Sequence, residues 1–320
     1  MDKNYPSNLV DSTKLGRAKR IEDAAGRYLE FVKSTFPDKF SLKNLKIVID
    51  CANGAAYQVA PRVLWELGAE VISIGCDPDG TNINHKCGST HPNVMAKMVK
   101  KHKADIGIAL DGDADRCIIC DEKGNFIHGD KIIGLITKRY LDQGILKGNA
   151  IIGTKMTNKG LENYLNSLDL DLIRTNVGDR YVVEEMRKSG CNIGGEQSGH
   201  IILGEYGSTG DGLVASLQII ASMVEKNIKV SKLVNIFSLM PQTIESISYN
   251  NKDYKYKNSD HFIKEKIKKH EKKLGDEGRI IIRASGTENK LRIMGECKNK
   301  TLLNNTLKKL KTEIINYINE

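Results

Sequence analysis

A chain of 320 residues that is 40% hydrophobic and 6% aromatic suits about two to four compact units, and this excludes a disordered or fibrous protein. No apolar run approaches a membrane span, the N-terminus has no signal-peptide core, and seven scattered cysteines without metal-site spacing read as reduced thiols. Together these predict a cytoplasmic protein with no membrane partner. The formal charge of +9 raises nucleic acid as a partner, but much of the excess is lysine, as at Lys264, Lys266, Lys268, Lys269, Lys272 and Lys273, with no interleaved aromatics. A solvated helix face is expected there, and no nucleic-acid partner.

Residues 1–14 look extended or without regular structure. Leu15 to Phe36 has a helical pattern, with Ala18, Ile21, Ala25, Tyr28, Leu29 and Val32 on one face, and Pro37 stops it. Leu45 to Asp50 reads as a strand, Asn53-Gly54 as a turn, residues 56–67 as a helix and Glu70 to Ile74 as the next strand. That order is a βαβ signal. A polar loop over residues 78–92 and a helix from Val94 to His102 lead to the apolar run Ile106 to Leu110.

That run empties into Asp111-Gly112-Asp113-Ala114-Asp115-Arg116. Gly112 and Ala114 are small, so the backbone can fold tightly and turn alternate carboxylates toward one point. Converging carboxylates need a cation, and hard oxygen donors suit Mg²⁺ or Ca²⁺. An EF-hand loop would place Glu122 at its twelfth position, but it requires glycine where Arg116 stands and helices where apolar β-like runs stand. A strand–loop–strand Mg²⁺ site meeting a phosphorylated ligand fits better than either an EF-hand or a solvated acidic turn. Cys117 and Cys120 are read as residues of the second strand rather than a redox pair.

The helix 130–141 is expected to close a first α/β unit near residue 143. A second unit repeats the alternation: strand 150–153, helix 159–168, strand 170–175, helix 181–188, a glycine-rich loop, strand 201–203 and a long apolar helix 211–224. A third, more antiparallel unit has strand 243–249, helix 260–274, strands 279–283 and 291–296, and helix 302–318. The expected organisation is an N-terminal segment and helix (1–39), two consecutive mixed α/β sandwich-type domains (40–143 and 144–240), and a small α+β C-terminal domain (241–320).

Three more loops carry chemistry. Arg283, Ser285, Gly286, Thr287 and Arg292 combine hydroxyls, a permissive backbone and two planar cations, which is what a phosphate clamp needs, although an ordinary hairpin with a hydroxyl-rich turn reads similarly. Glu196, Gln197, Ser198 and His200 stand between glycines and can bond sugar hydroxyls or an amino group; a lone His200 is as often structural. Gly178-Asp179-Arg180 is weaker, since it could simply cap the following helix.

In this order and spacing the four loops resemble those of the α-D-phosphohexomutase family, over nearly all of residues 15–320. Asp111 to Arg116 resembles its metal loop, Gly178 to Arg180 its hinge segment, Glu196 to His200 its sugar-binding loop and Arg283 to Glu288 its phosphate-binding loop. GEQSGH, Cys51 to Ala55 and Cys87 to Pro92 are similar to the branch that works on phosphoglucosamine. The resemblance implies domains two to four of the family fold. It also implies interconversion of glucosamine 6-phosphate and glucosamine 1-phosphate for amino-sugar and cell-envelope synthesis, with Mg²⁺ and glucosamine 1,6-bisphosphate as cofactor and intermediate. It implies metal ligation by Asp111, Asp113 and Asp115, and substrate binding by Asp179, Arg180, Glu196, Ser198, His200, Arg283, Ser285, Gly286, Thr287 and Arg292. Arg116 is a candidate catalytic residue beside the metal. The family's phosphoserine loop, of TxSHNP type, is not found in these residues; Ser89-Thr90-His91-Pro92 belongs to the second-domain pattern. The chain is therefore expected to be inactive alone, its serine supplied by a separate N-terminal domain. The alternatives are a non-catalytic module binding Mg²⁺ and a hexose phosphate, or a phosphomannomutase or phosphoglucomutase.

Overall fold

Three sheets organise the computed structural model, which describes residues 10–19, 21–248, 260–275, 278–284 and 290–319. The first sheet has the order β2-β1-β3-β4-β5. Its strands are β1 (Lys46–Asp50), β2 (Glu70–Ile74), β3 (Ile106–Leu110), β4 (Cys117–Asp121) and β5 (Phe126–Ile127). β1 pairs in parallel with β2 and β3, whereas β4 returns antiparallel to β3, with Leu110 opposite Cys117. Every residue of β3 is buried, as befits a strand covered on both faces. The covering helices are α1 (Ala24–Ser34), α2 (Val59–Glu66) and α3 (Asn93–His102).

The second sheet repeats the design in the order β7-β6-β8-β9, from β6 (Ala150–Thr154), β7 (Asp171–Thr175), β8 (Ile193–Gly195) and β9 (Ile201–Leu203). Three parallel strands again end in an antiparallel neighbour. Around it lie α4 (Gly129–Asp142), α5 (Lys159–Asn166), α6 (Asp179–Ser189), α7 (Gly212–Lys226) and α8 (Val230–Leu233). Every residue of α7 from Gly212 to Met223 is buried, so it is a core helix packed between the two units. Asp211 caps it by accepting the N–H groups of Leu213 and Val214, and Tyr28 donates to the same carboxylate at 2.9 Å.

The third sheet is antiparallel, in the order β10-β12-β11, from β10 (Gln242–Ser248), β11 (Arg279–Ala284) and β12 (Lys290–Glu296). α9 (His261–Leu274) and α10 (Lys300–Asn319) cover one face with their own apolar cluster. Lys264, Lys268, Lys269, Lys272 and Lys273 are on the outer side of α9, whose buried residues are Ile263, His270 and Leu274. Lys266 is half-buried over the Phe262 ring.

The elements differ from the sequence reading at several places: β5 and α8 are additional to it, and three further differences concern packing. The first helix starts at Ala24, not Leu15: Leu15 and Ile21 are both 62% exposed, and no sheet lies beneath them. α4 packs on α5, α7 and β8, so it works with the second sheet rather than closing the first. Ile193 to Gly195 forms a strand although two of its three residues are glycine, and α6 packs closely on it, so that a Cβ on Gly194 would stand 2.6 Å from Met186 Sδ.

Candidate functional site

The metal loop is the connection between β3 and β4, so it lies between strands, unlike an EF-hand loop. Ligand oxygens of Asp111, Asp113 and Asp115 lie within 4.8 Å of one another. Ala114, with φ of +61°, takes the left-handed turn that brings them together. The Arg116 N–H donates to Asp111 Oδ1 at 3.1 Å, and its guanidinium stands 3.8 Å from Asp111 and 3.7 Å from Asp115. Burial, and then the neighbouring carboxylates, push Asp111 up to about 6 against the pull of the Arg116 N–H. Asp115 Oδ1 is buried with no hydrogen-bond partner. Crowded oxygen donors, one orphaned and one forced toward protonation, fit a hard divalent cation such as Mg²⁺. Glu122 is elsewhere, accepting the Ser231 N–H at 3.1 Å on α8.

The GEQSGH loop joins β8 to β9 and lies directly against the metal loop. Cys117 N–H donates to the Gly199 carbonyl at 3.1 Å, and Arg116 and His200 form a β-bridge. A Cβ on Gly199 would sit 2.1 Å from the Cys117 carbonyl, and φ there is +92°, so glycine is required twice over. His200 is buried, with Nδ1 3.1 Å from Asp115 Oδ2 and Nε2 without a partner. It holds a candidate metal ligand in place, as outer-shell groups do. The sequence gives no sign of this contact, because loops 85 residues apart must first be folded together.

Glu196 is half-buried and accepts the Gly178 N–H at 3.1 Å, which brings the Gly178–Arg180 segment to the sugar loop. Asp179 and Arg180 open α6, and Arg180 pairs with Glu184 at 2.9 Å while 82% exposed. Ser198 is exposed at the tip of its loop.

Arg283 and Arg292 face one another across β11 and β12. Burial, and then the Arg292 charge, lower Arg283, while the Glu196 carboxylate acts the other way. The Arg283 Nε is buried without a partner. Two cations placed side by side across the sheet make a ready anion site. Ser285, Gly286 and Thr287 lie outside the described residues.

Comparison with known proteins gives three consecutive family matches, all to phosphoglucomutase/phosphomannomutase: α/β/α domain II at residues 26–124, α/β/α domain III at 128–240 and the C-terminal domain at 225–312. The phosphoglucosamine mutase of Parvibaculum lavamentivorans is 52% identical over 303 residues, which is 95% of this chain and 67% of that protein. The phosphoglucosamine mutase of Caulobacter vibrioides is 50% identical over 315 residues, 98% of this chain and 69% of its own length. The chain thus spans about two thirds of these relatives. Among solved structures, a phosphoglucomutase/phosphomannomutase family protein from Burkholderia thailandensis has a TM-score of 0.73 at 24% identity, covering 90% of this chain and 64% of that one. The Aspergillus fumigatus N-acetylphosphoglucosamine mutase in complex with GlcNAc-6P and magnesium has a TM-score of 0.71 at 20% identity, covering 92% and 70%. With its domains matched in sequence, its sheets matched in space and relatives half identical over nearly its whole length, the chain belongs to the phosphoglucomutase/phosphomannomutase family, the α-D-phosphohexomutases.

Proposed function

We propose that these residues form the metal, sugar and phosphate modules of a phosphoglucosamine mutase, which interconverts glucosamine 6-phosphate and glucosamine 1-phosphate through glucosamine 1,6-bisphosphate. The observation that carries this reading is the joining of the metal loop to the sugar loop, by the Cys117–Gly199 hydrogen bond and the Asp115–His200 contact, with Arg283 and Arg292 paired across the C-terminal sheet. The relatives named phosphoglucosamine mutase support the same sugar.

Asp111, Asp113 and Asp115 would hold Mg²⁺, which when bound neutralises charge on a transferring phosphoryl group. His200, with Nδ1 3.1 Å from Asp115 Oδ2, keeps that carboxylate turned toward its partners. Arg116, on the rim of the loop, faces the same charge. Arg283 and Arg292, with Ser285, Gly286 and Thr287, take the phosphate that does not react. Glu196 and Ser198 bond the hydroxyl and amino groups of the sugar, beside Asp179 and Arg180. A sugar that presents first one and then the other oxygen needs such a two-ended site, with binding energy fixing each orientation.

The phosphoryl-carrying serine comes from outside these 320 residues, whether joined to them or on a separate N-terminal domain chain. Seven free thiols, six of them buried, support a reducing, cytoplasmic setting, and among the described residues no helix is long and apolar enough to cross a membrane. The direct test is calorimetric titration of glucosamine 6-phosphate with Mg²⁺ present, against mannose 6-phosphate and glucose 6-phosphate. Tighter binding of the amino sugar is expected; equal or weaker binding would move the chain to another branch of the family.

A further inference from the structure

The C-terminal sheet carries two cross-strand pairs on one face. Arg279 stands opposite Glu296, and Arg283 opposite Arg292. Residues two apart share a face, so Arg279, Ile281 and Arg283 line one side of β11, while Ile280 and Ile282 enter the apolar cluster under α9 and α10. On β12, Glu296, Met294 and Arg292 share the first side, and Leu291 and Ile293 the second. The two pairs are four residues apart, about 13 Å along the strands. Arg283 and Arg292 belong to the phosphate clamp proposed above. Arg279 and Glu296 have no part in it.

Arg279 reaches across to the turn after β6. Its Nη1 donates to the Lys155 carbonyl at 2.8 Å and its Nη2 to the Thr157 carbonyl at 2.6 Å, while its Nε donates to Glu296. Glu296 is fully buried and also accepts from the Lys159 N–H at 3.4 Å and from Gln242 Nε2 at 3.1 Å. Gln242 shares that amide with the Met156 carbonyl at 3.3 Å. Met156 itself lies beside Ile244, Ile281 and Met294. On its other side the turn is held by Arg174, whose Nη1 donates to the Thr157 carbonyl at 2.8 Å. A buried carboxylate is tolerated only when its bonds are complete, and these bonds are complete only with both domains in contact. Docking of the sheet on the turn therefore ties the bonds of Glu296 to those of Arg279.

We infer that Arg279 and Glu296 are positioning residues: they latch the C-terminal sheet onto residues 155–159 and so set where Arg283 and Arg292 meet a phosphate. The inference rests on the reading of Arg283 and Arg292 as a phosphate clamp. Arg279→Lys keeps a cation for Glu296 and loses the planar fork to the two carbonyls. Gln242→Leu keeps both charges and nearly the same shape while removing the amide that bridges sheet and turn.

The test pairs hydrogen exchange over residues 155–159 with calorimetric titrations of glucosamine 6-phosphate and of Mg²⁺. It compares the parent chain, Arg279→Lys, Gln242→Leu and Arg283→Ala, all well below their melting points. In Arg279→Lys, exchange in the turn is expected to rise and Mg²⁺ affinity to stay unchanged. If the latched fraction falls to about a tenth, apparent affinity for glucosamine 6-phosphate falls about tenfold. Gln242→Leu should move in the same direction by less, and Arg283→Ala should lose phosphosugar affinity with no change in exchange. Unchanged exchange in both latch variants would overturn the latch. Raised exchange with undiminished phosphosugar affinity would overturn the positioning role. Full affinity in Arg283→Ala would strike the clamp reading itself, and the positioning role with it.

Discussion

Asp111, Asp113 and Asp115 are held together at a cost that a cation would remove. Their ligand atoms share a space 4.8 Å across, and burial with mutual repulsion pushes Asp111 up to about 6. Replacing all three with Asn should abolish Mg²⁺ binding in calorimetry while leaving the fold intact, and Mg²⁺ heat that survives the change would move the site elsewhere. In the phosphate clamp, a charge-assisted hydrogen bond is worth about 1.5–3 kcal/mol. Arg283→Ala should therefore weaken glucosamine 6-phosphate roughly ten- to a hundredfold. Asp130 is a different case. It is fully buried, and burial carries it from 3.8 up to about 7, the Asn158 N–H pulling back and the Glu296 charge adding to the rise. A carboxyl raised in the folded state favours folding most below its unfolded value, and that contribution is lost as pH climbs through the folded one. Stability should thus decline between pH 4 and pH 7 by up to about 4 kcal/mol and then level off. Asp130→Asn should flatten this decline in denaturant titrations run across that window; an unchanged slope would assign it to other groups.

The elements show which parts of the site are written locally. β3, the loop and β4 were legible because an apolar run followed by alternate carboxylates is a short-range pattern. The brace beneath that loop was not. Ala55 N–H donates to the Gly112 carbonyl at 2.8 Å, and a Cβ on Gly54 would come within 2.2 Å of the same oxygen. Gly54→Ala must push the Asp loop aside, and overpacking against rigid backbone costs on the order of 1–3 kcal/mol. A lower melting temperature together with weaker Mg²⁺ binding is expected, and an unaltered Mg²⁺ titration would show the brace to be dispensable. The place of α4 was misread for a related reason: its apolar stripe fits either neighbouring sheet, and only tertiary packing on α5, α7 and β8 decides. The start of α1 was misread because Leu15 and Ile21 continue a helical period that no sheet answers. β8 escaped because its Ile-Gly-Gly sequence has few of the branched residues that mark strands; it is recognised only by its pairing with β6 and β9.

At the scale of the molecule, the first two sheets bring three separated loops to one region. The metal loop and the GEQSGH loop share a backbone hydrogen bond and a β-bridge, Glu196 ties in the start of α6, and the C-terminal sheet sets Arg283 opposite Arg292. In the function proposed above, none of these loops supplies the phosphoryl-carrying hydroxyl. Ser89 lies in a short 3₁₀ turn with Gly88 packed on the Leu110 carbonyl, beside the metal loop, and the nearby imidazole of His91 meets Thr90 Oγ1 at 3.2 Å. Binding and charge neutralisation without a nucleophile give no covalent turnover. The measurement that bears most directly on this account is a coupled assay of glucosamine 6-phosphate conversion to the 1-phosphate. It is primed with glucosamine 1,6-bisphosphate and run on the 320 residues alone, on Ser89→Ala, and with a domain bearing the TxSHNP-type serine added. The account predicts background rates for the first two and conversion when the serine domain is supplied; robust turnover by the 320 residues alone that vanishes in Ser89→Ala would contradict it.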